Sequence, residues 1–358
     1  MTKPAKILGI IGGGQLGRMS ALAAARLGIQ THIYTPEENA PASQVAARTF
    51  VASYNDAKAL REFAKSVDVI SYEFENIPAA ALKILSKNKD IFPGVDILEI
   101  SQHRPTEKQF LNDCKIPTAR WASIHKPDQI DKLLEEWNTT SCVIKTSRFG
   151  YDGKGQVKFK RGSDPLAACK LLNSDDNIIE EVIDFKSEIS VIIARDQFAK
   201  SVIYDPVLNE HKNHILSKTC APAPIPDEIA KKSKQYIKKL ADRLDLVGIL
   251  ALELFLTKDG KLLANEMAPR PHNSGHWTMD ACAVSQFENH VRTVCGLPVG
   301  PAKRHSDAVM LNLIGDDINI VKDYLAKPDA CVHLYGKLEA RPGRKMGHIN
   351  LLKPKSGK

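Results

Sequence analysis

The sequence predicts an α/β protein of two or three domains, and three observations support that prediction. At 358 residues the chain exceeds one ordinary hydrophobic core. Residues 6–11 form a short apolar run that meets three glycines and then a helical pattern, as at the opening of a doubly wound sheet. Farther along, short apolar runs alternate with glycine turns, which indicates hairpins in a second, mixed domain.

The first domain continues with a helix at Gln15–Leu27 and a strand at Gln30–Thr35. Another strand, at Ser66–Glu73, ends in polar residues. Ligands of open parallel sheets bind at the carboxyl ends of the strands, so Glu73 is a candidate site residue. Its alternative role is to cap a helix at Ile77–Lys87.

We predict three domains, at residues 1–100, 101–295 and 296–358. The second begins near Ser101, where Arg104 starts a helix with Thr106 as its cap. Within it, a lid subdomain covers about residues 121–185. A proline- and glycine-rich linker at residues 296–301 leads to a short C-terminal α/β piece.

A glycine loop, Gly150–Gln156, lies between an apolar run that ends near Lys145 and a second strand-like run. It is neither a P-loop nor a dinucleotide fingerprint, because both of those lead into a helix. The pattern favours a mobile hairpin over a polyphosphate, with backbone N–H groups, Lys145 and Lys154 facing the phosphate oxygens. The alternative is an ordinary surface hairpin.

Two carboxylates lie on adjacent strand-like runs separated by the turn Thr257–Lys261. They are Glu253 and Glu266, and Asn265 precedes the second. A glutamate inside an apolar strand needs a cation partner, so the two groups are candidates to share Mg²⁺ across a hairpin. The alternative is a glutamate that points out from a half-exposed strand.

Composition excludes several classes of protein. No stretch is long enough to span a bilayer, and no apolar signal segment precedes the first strand, so we expect a cytoplasmic enzyme. Seven scattered cysteines form no CxxC pair, which indicates free thiols and disfavours structural zinc. The net charge of +8 comes from dispersed lysines, which favours a solvated face attractive to anionic substrates over a nucleic-acid site.

The main rival interpretation is a nicotinamide-dependent dehydrogenase, because Gly12, Gly14 and Gly17 have GxGxxG spacing. An NAD site requires an acid at the end of the second strand for the ribose hydroxyls. Here that strand ends at Thr35-Pro36, and Glu37 comes late. We therefore expect no NAD.

Five motifs occur in order along the chain, at Gly12–Met19, Phe149–Gln156, Asn265–Arg270, His272–Trp277 and Arg341–Lys345. They resemble those of the ATP-grasp superfamily of carboxylate–amine ligases and, more narrowly, the N5-carboxyaminoimidazole ribonucleotide synthetase family. The resemblance runs from about Ile7 to about Leu352 and implies an ATP-grasp fold with an N-terminal Rossmann-like domain and a small C-terminal domain.

The resemblance implies that ATP phosphorylates bicarbonate and that the amine of 5-aminoimidazole ribonucleotide attacks the resulting carboxyphosphate or the CO₂ it releases. It also implies Mg²⁺ on Glu253 and Glu266, no biotin and a homodimer. Formate with a glycinamide ribonucleotide is a rival substrate pair within the superfamily. The catalytic residues implied are Lys145, Asp152 and Arg270.

The remaining residues follow from the same resemblance. ATP contacts come from Arg104, Lys145, the loop Gly150, Tyr151, Asp152, Gly153, Lys154, Gly155 and Gln156, the hinge Glu180, Glu181, Val182 and Ile183, and Glu188, His211, Asn265 and Glu266. His214 is an alternative to His211. Substrate contacts come from Gln15, Leu16, Glu73, Tyr151, Asp152, Arg270, His272, Asn273, Lys337, Arg341, Arg344 and Lys345.

The C-terminal motif has a physical interpretation of its own. Arg341, Arg344 and Lys345 surround a proline–glycine turn, which holds their cationic groups in a compact arc suited to a phosphate monoester. The arc is thus a candidate site for the 5′-phosphate of the ribonucleotide. The alternative is a basic turn on the surface.

Overall fold

The computed structural model describes residues 5–150 and 153–356 and places them in three sheets with flanking helices. The strands are β1 (Ile7–Ile11), β2 (Gln30–Thr35), β3 (Arg48–Val51), β4 (Val69–Tyr72), β5 (Trp121–Ile124), β6 (Ser141–Thr146), β7 (Gln156–Lys160), β8 (Asn177–Glu181), β9 (Phe185–Arg195), β10 (Ser201–Ile203), β11 (Val207–Lys212), β12 (Ile215–Ala221), β13 (Gly248–Thr257), β14 (Leu262–Ala268), β15 (Ser306–Ile314), β16 (Ala330–Leu334) and β17 (Lys345–Pro354).

The α-helices are α1 (Gln15–Arg26), α2 (Ala57–Lys65), α3 (Ala79–Ser86), α4 (Val95–Ser101), α5 (Arg104–Asp113), α6 (Gln129–Glu136), α7 (Pro165–Leu172), α8 (Asp227–Arg243), α9 (Thr278–Ala281), α10 (Gln286–Val294) and α11 (Val321–Leu325). Short 3₁₀ helices occupy Asn273–Gly275 and Gly315–Ile320.

The N-terminal sheet has the order β3-β2-β1-β4, and all its neighbours are parallel. Strands β1 and β4 are largely apolar and buried because helices cover the sheet, as a parallel sheet requires. The predicted Rossmann-like opening is therefore confirmed. The carboxyl ends of β1 and β4 lie side by side, which brings the glycine turn and Glu73 together.

Glu73 does not cap the helix that follows it, so that alternative is wrong. Helix α3 begins after Pro78, whereas the Glu73 carboxylate accepts hydrogen bonds from the N–H groups of Gly14 and Gly17 at the start of α1. A Cβ on Gly14 would lie only 2.8 Å from Glu73 Oε1. The N–H groups at the start of α1 and the positive end of its dipole attract a carboxylate, which explains why Glu73 contacts this helix.

A second sheet, of order β5-β8-β6-β7, is antiparallel throughout and belongs to residues 121–181. Strands β6 and β7 form the predicted glycine hairpin, with Lys145 opposite Gln156. The Thr146 N–H donates to the Gly155 carbonyl at 2.8 Å, which closes the loop. The prediction of a hairpin is confirmed.

The largest sheet has nine strands, in the order β14-β13-β9-β11-β12-β15-β17-β16 with β10 beside β9. The predicted hairpin β13–β14 places Glu253 directly opposite Glu266. Strands β15, β16 and β17 of the C-terminal segment extend this sheet through the pairing of β12 with β15. The cationic turn before β17 is therefore anchored to the sheet that carries the carboxylates.

Helix α5 begins at Arg104 as predicted, but Thr106 is not its cap. The N-cap is His103, and Pro105 lies in the first turn, where proline is favoured because it lacks an N–H. The Thr106 hydroxyl instead contacts His103 Nδ1 at 2.7 Å. Proline therefore fixes the start of the helix one turn earlier than the threonine suggests.

All seven cysteines are free thiols, as expected from their spacing. Among the helices in residues 5–150 and 153–356, none is long and apolar enough to cross a membrane.

Candidate active site

Two lysines from different elements enclose one buried glutamate. Lys108 of α5 and Lys145 of β6 both donate to Glu180 Oε2, at 3.3 Å and 3.0 Å. Burial favours the protonated acid, but the two ammonium groups outweigh it and lower the pKa of Glu180 to about 2. The prediction omitted Lys108, although its i, i+4 spacing from Arg104 places both cations on one face of α5.

The four hinge residues do not act alike. Glu180 is buried, whereas the Glu181 carboxylate turns toward Arg120 and accepts two hydrogen bonds from it at 2.8 Å and 2.7 Å. Val182 is exposed and Ile183 is half-buried. Consecutive side chains of a strand point to opposite faces, which explains why only one of the two glutamates enters the interior.

The two candidate histidines occupy different positions. His211 Nδ1 contacts Glu188 Oε2 at 2.6 Å, and although burial opposes it, this contact raises the pKa of His211. His214 packs against Gly153, a residue with φ of +79°. Thus His211 belongs with Glu188 and His214 with the glycine loop. Tyr151 and Asp152 of that loop lie outside the described residues.

The carboxylate pair lies at the junction of several charged groups. Burial and the neighbouring Glu266 raise the pKa of Glu253 to about 7, which indicates an acidic pair that lacks sufficient positive charge. Arg104 contacts Glu266 at 3.3 Å. Burial and the nearby Glu266 also raise the pKa of Glu107 to about 8. Glu107, which the prediction omitted, accepts a hydrogen bond from the Met267 N–H at 2.6 Å.

The donors around this pair fit a hard divalent cation. Glu253 and Glu266 supply carboxylate oxygens, which such cations prefer as ligands. The buried Oδ1 of Asn265 has no hydrogen-bond partner in the described part of the chain. Within that part, no cluster of three or more histidine, cysteine, aspartate or glutamate side chains is arranged to hold a metal.

Beyond the carboxylates lie Arg270, His272 and Asn273, three of the residues predicted to contact substrate. His272 Nε2 is 3.3 Å from Glu253 Oε1, and burial together with the Arg270 charge lowers the pKa of His272 well below its usual value. Arg270 contacts Glu75 at 2.7 Å, an acid that the prediction omitted. Within the described chain, neither polar side-chain atom of the buried Asn273 amide has a partner.

The C-terminal cations are held mainly by backbone carbonyls. Lys337 donates to the Lys345 carbonyl at 2.7 Å, and Arg344 donates to the Glu339 carbonyl at 3.1 Å. Burial, with help from the Arg344 charge, lowers the pKa of Lys337 to about 8. Arg341 instead pairs with the Glu339 carboxylate on the surface.

Glu73 connects this end to the N-terminal sheet. Burial raises its pKa, while the N–H groups of Gly17 and Gly14 and then the charges of Arg270 and Lys337 oppose that shift. A dinucleotide pyrophosphate at the start of α1 would have to displace this carboxylate, which argues against the dehydrogenase interpretation.

The last two predicted substrate residues lie at the start of α1. Gln15 is partly exposed there. The Leu16 side chain instead packs into the hydrophobic core, which leaves its backbone as the group available to a ligand.

Three family models together match most of the chain. Residues 5–102 match the ribonucleotide synthetase preATP-grasp domain, residues 109–287 the ATP-grasp domain, and residues 308–358 the phosphoribosylaminoimidazole carboxylase C-terminal domain. The chain is 49% identical to an N5-carboxyaminoimidazole ribonucleotide synthase of Brucella melitensis biotype 1, over 99% of this chain and 98% of the relative.

Solved structures agree with these matches. An ADP complex of an N5-carboxyaminoimidazole ribonucleotide synthetase superimposes with a TM-score of 0.93 at 42% identity, covering 99% of this chain and 94% of the other. The synthase of Aspergillus clavatus in complex with ADP and 5-aminoimidazole ribonucleotide superimposes with a TM-score of 0.90 at 30% identity, covering 98% of this chain and 95% of the other. With this fold, these domains and this identity over its whole length, the chain belongs to the N5-carboxyaminoimidazole ribonucleotide synthase family of ATP-grasp ligases.

Proposed function

We propose that the chain catalyses the ATP- and bicarbonate-dependent carboxylation of 5-aminoimidazole ribonucleotide to N5-carboxyaminoimidazole ribonucleotide, with ADP and phosphate as the other products, in de novo purine biosynthesis. The observation that carries the proposal is the position of Glu253 and Glu266 between two sets of groups. Arg104 contacts Glu266 on one side, and His272 contacts Glu253 on the other.

On the first side we place ATP. Lys145 and Arg104 would face the phosphates beneath the Gly150–Gln156 loop, and the hinge would hold the base. Glu180 supports this assignment because its buried Oε1 has no hydrogen-bond partner among the described residues, so a base amino group can donate to it. Glu188, already beside His211, would accept from the ribose hydroxyls.

Between the two sides, Glu253, Glu266 and the Asn265 oxygen would hold Mg²⁺. Bound there, the ion would neutralise charge on the phosphate oxygens during phosphoryl transfer. The raised pKa of Glu253 supports this placement, since a nearby dication would favour its ionised form.

On the second side we place bicarbonate, beside Arg270, His272 and Asn273. A bicarbonate oxygen attacks the γ-phosphorus, ADP leaves, and carboxyphosphate forms. The exocyclic amine of the ribonucleotide then bonds to the carboxyl carbon, or to CO₂ released from it, and loses a proton while phosphate leaves. Water hydrolyses such a mixed anhydride, so the glycine lid would exclude water from it.

The ribonucleotide would extend from this position toward Glu73, Lys337 and the turn at Arg344 and Lys345. Its 5′-phosphate, a dianion, would bind to the cationic groups of Lys337, Arg344 and Lys345. Asp152 and Tyr151 of the lid remain predicted contacts to the imidazole. A homodimer, a cytoplasmic location and the domain limits at residues 100 and 295 also remain predictions.

Product identification tests the proposal. With ATP, Mg²⁺, ¹³C-bicarbonate and 5-aminoimidazole ribonucleotide, we expect a ¹³C carbamate signal that grows one-for-one with ADP. Replacing the ribonucleotide and bicarbonate by glycinamide ribonucleotide and formate should give no ADP above background. ADP formation with that pair, and none with the aminoimidazole, would assign the chain a different ligase reaction.

A further inference from the structure

A row of polar side chains crosses the largest sheet next to the carboxylates. Ser190 on β9 is the register partner of Glu253, and Asn209 on β11 is the register partner of Thr219 on β12. None of these three polar residues exposes more than 6% of its surface. Buried polar groups cost stability unless they are hydrogen-bonded, so the contacts they make need an explanation.

The row forms one continuous chain of hydrogen bonds. Thr219 Oγ1 donates to Asn209 Oδ1 at 2.9 Å, and Asn209 Nδ2 donates to Ser190 Oγ at 3.0 Å. Ser190 Oγ donates to Ser274 Oγ at 2.6 Å. Ser274 Oγ in turn lies 2.8 Å from Nδ1 of His272. A threonine in the sheet interior is thereby connected to a residue of the active site.

A backbone group sets the direction of this chain. The Ser274 N–H is directed at His272 Nδ1 at 3.4 Å, and an amide N–H can only donate, so Nδ1 is an acceptor. The single hydrogen of the Ser274 hydroxyl therefore also points to Nδ1. Its oxygen must then accept from Ser190, and Ser190 must accept from the Asn209 amide. Only the Asn209 carbonyl oxygen remains to accept from Thr219.

We propose that Thr219, Asn209, Ser190 and Ser274 are positioning residues that hold His272 in the tautomer with its hydrogen on Nε2. The Nε2 atom lies 3.3 Å from Glu253 Oε1, beside the place that we assign to bicarbonate. His272 is therefore a hydrogen-bond donor toward a bicarbonate oxygen and the anhydride formed from it. The role toward bicarbonate rests on the proposed function, whereas the tautomer does not.

Asn209→Asp tests the direction of the chain with almost no change of shape. A carboxylate can only accept, so Asp at this position takes the hydrogens of both Thr219 and Ser190. Ser274 must then donate to Ser190 and present a lone pair to Nδ1. We expect ¹⁵N NMR of histidine-labelled protein, with His272 assigned through its loss in His272→Gln, to show hydrogen on Nε2 alone in the parent. In Asn209→Asp a population with hydrogen on Nδ1 should appear, because only the long Ser274 N–H contact of 3.4 Å then opposes it.

The kinetic effect should be confined to the bicarbonate half of the reaction. Loss of one well-placed donor to a developing anion lowers kcat by roughly 10²-fold, and KM for bicarbonate should rise while KM for ATP stays unchanged. A purely structural defect would instead lower the melting temperature and leave the tautomer intact.

Thr219→Val is the second variant, chosen because it is isosteric and should fold if Asn209→Asp does not. It removes the donor to Asn209, so the amide orientation is fixed less firmly and a minor Nδ1–H population should appear. Thr219→Ser should restore the parent spectrum. The matched control is Thr293→Val, which removes a fully buried hydroxyl bonded to the Asn289 carbonyl on α10.

Each result decides the inference. An Nδ1–H tautomer in the parent, or an unchanged His272 spectrum in both Asn209→Asp and Thr219→Val, would overturn it. If the spectra behave as expected but the parent forms no carbamate, the positioning chain stands and the proposed function fails. If the parent carboxylates the ribonucleotide but its His272 carries hydrogen on Nδ1, the proposed function stands and this inference fails.

Discussion

The two ends of the candidate active site hold their charges in different ways. At the nucleotide end, Lys108 and Glu180 expose 1% and 5% of their side chains, and Glu180 pairs with both Lys108 and Lys145. At the ribonucleotide end, Arg344 and Lys337 are held by backbone carbonyls, and the side chain of Arg341 is 67% exposed.

Buried ions are tolerated only when paired, so the nucleotide end must be assembled before ATP arrives. Cations held by carbonyls keep their net charge, and the ribonucleotide end is therefore completed by the phosphate of its substrate. The comparison teaches that changes at the first end should affect stability and ATP together, whereas changes at the second should affect the ribonucleotide alone.

The largest effect is expected where the two ends meet. Glu266→Gln keeps the shape of the side chain but removes a charge required for Mg²⁺, so turnover should fall by roughly 10³-fold, the upper range for one electrostatic group. Circular dichroism should show an intact fold. If Glu266→Gln had the turnover of the parent at the same Mg²⁺ concentration, the carboxylate pair would not take part in catalysis.

Lys108→Met should break the preassembled end. Glu180 keeps Lys145 as a partner, so the variant should lose roughly the 1.5–3 kcal/mol of one hydrogen bond to a charged group. KM for ATP should rise while KM for the ribonucleotide does not. The matched control is Arg120→Ala, which breaks the more exposed pair with Glu181 and should destabilise the protein far less, because water screens exposed ion pairs. Urea unfolding of both variants measures the difference, and equal losses would contradict it.

Arg344→Ala should affect only the other end. A hydrogen bond to a charged group contributes roughly 1.5–3 kcal/mol, so KM for the ribonucleotide should rise about 10- to 100-fold with little change in stability or in KM for ATP. Arg341→Ala should have a smaller effect because Arg341 already pairs with Glu339 on the surface. If KM for ATP rises instead, the arc belongs to the triphosphate.

The smallest effect is a dependence on pH. The pKa of Lys337 is lowered to about 8, so the ammonium is present below that pH and is lost above it. We expect kcat/KM for the ribonucleotide to decline as pH rises through about 8, since this ratio reports on the free enzyme. Lys337→Arg should move the decline to higher pH, and Lys337→Gln should remove it. A parent profile identical to that of Lys337→Gln would exclude Lys337 from phosphate binding.

Features that depend on neighbouring residues could be predicted from the sequence. The alternation around Glu253, the turn after it and the second run around Glu266 specify a hairpin, and the two acids face each other in it. The glycine hairpin and the parallel N-terminal sheet follow from the same local patterns.

Pairings between distant residues could not be predicted in this way. Lys108 and Glu180 are 72 residues apart, and nothing near Glu73 in the sequence indicates that it accepts from Gly17 at the start of α1. Ser190 and Asn209 look like ordinary polar residues in strands until the sheet register places Ser190 beside Glu253 and a hydrogen bond joins Asn209 to Ser190. Such partners are fixed by strand order, which short sequence windows do not contain.

The most direct test of the account is ADP release by the parent enzyme with each substrate omitted in turn. We predict that full activity requires ATP, Mg²⁺, bicarbonate and 5-aminoimidazole ribonucleotide together, and that omission of either bicarbonate or the ribonucleotide lowers ADP release to a basal rate. Full ADP release without bicarbonate, or oxidation of NADH in the absence of ATP, would contradict the account.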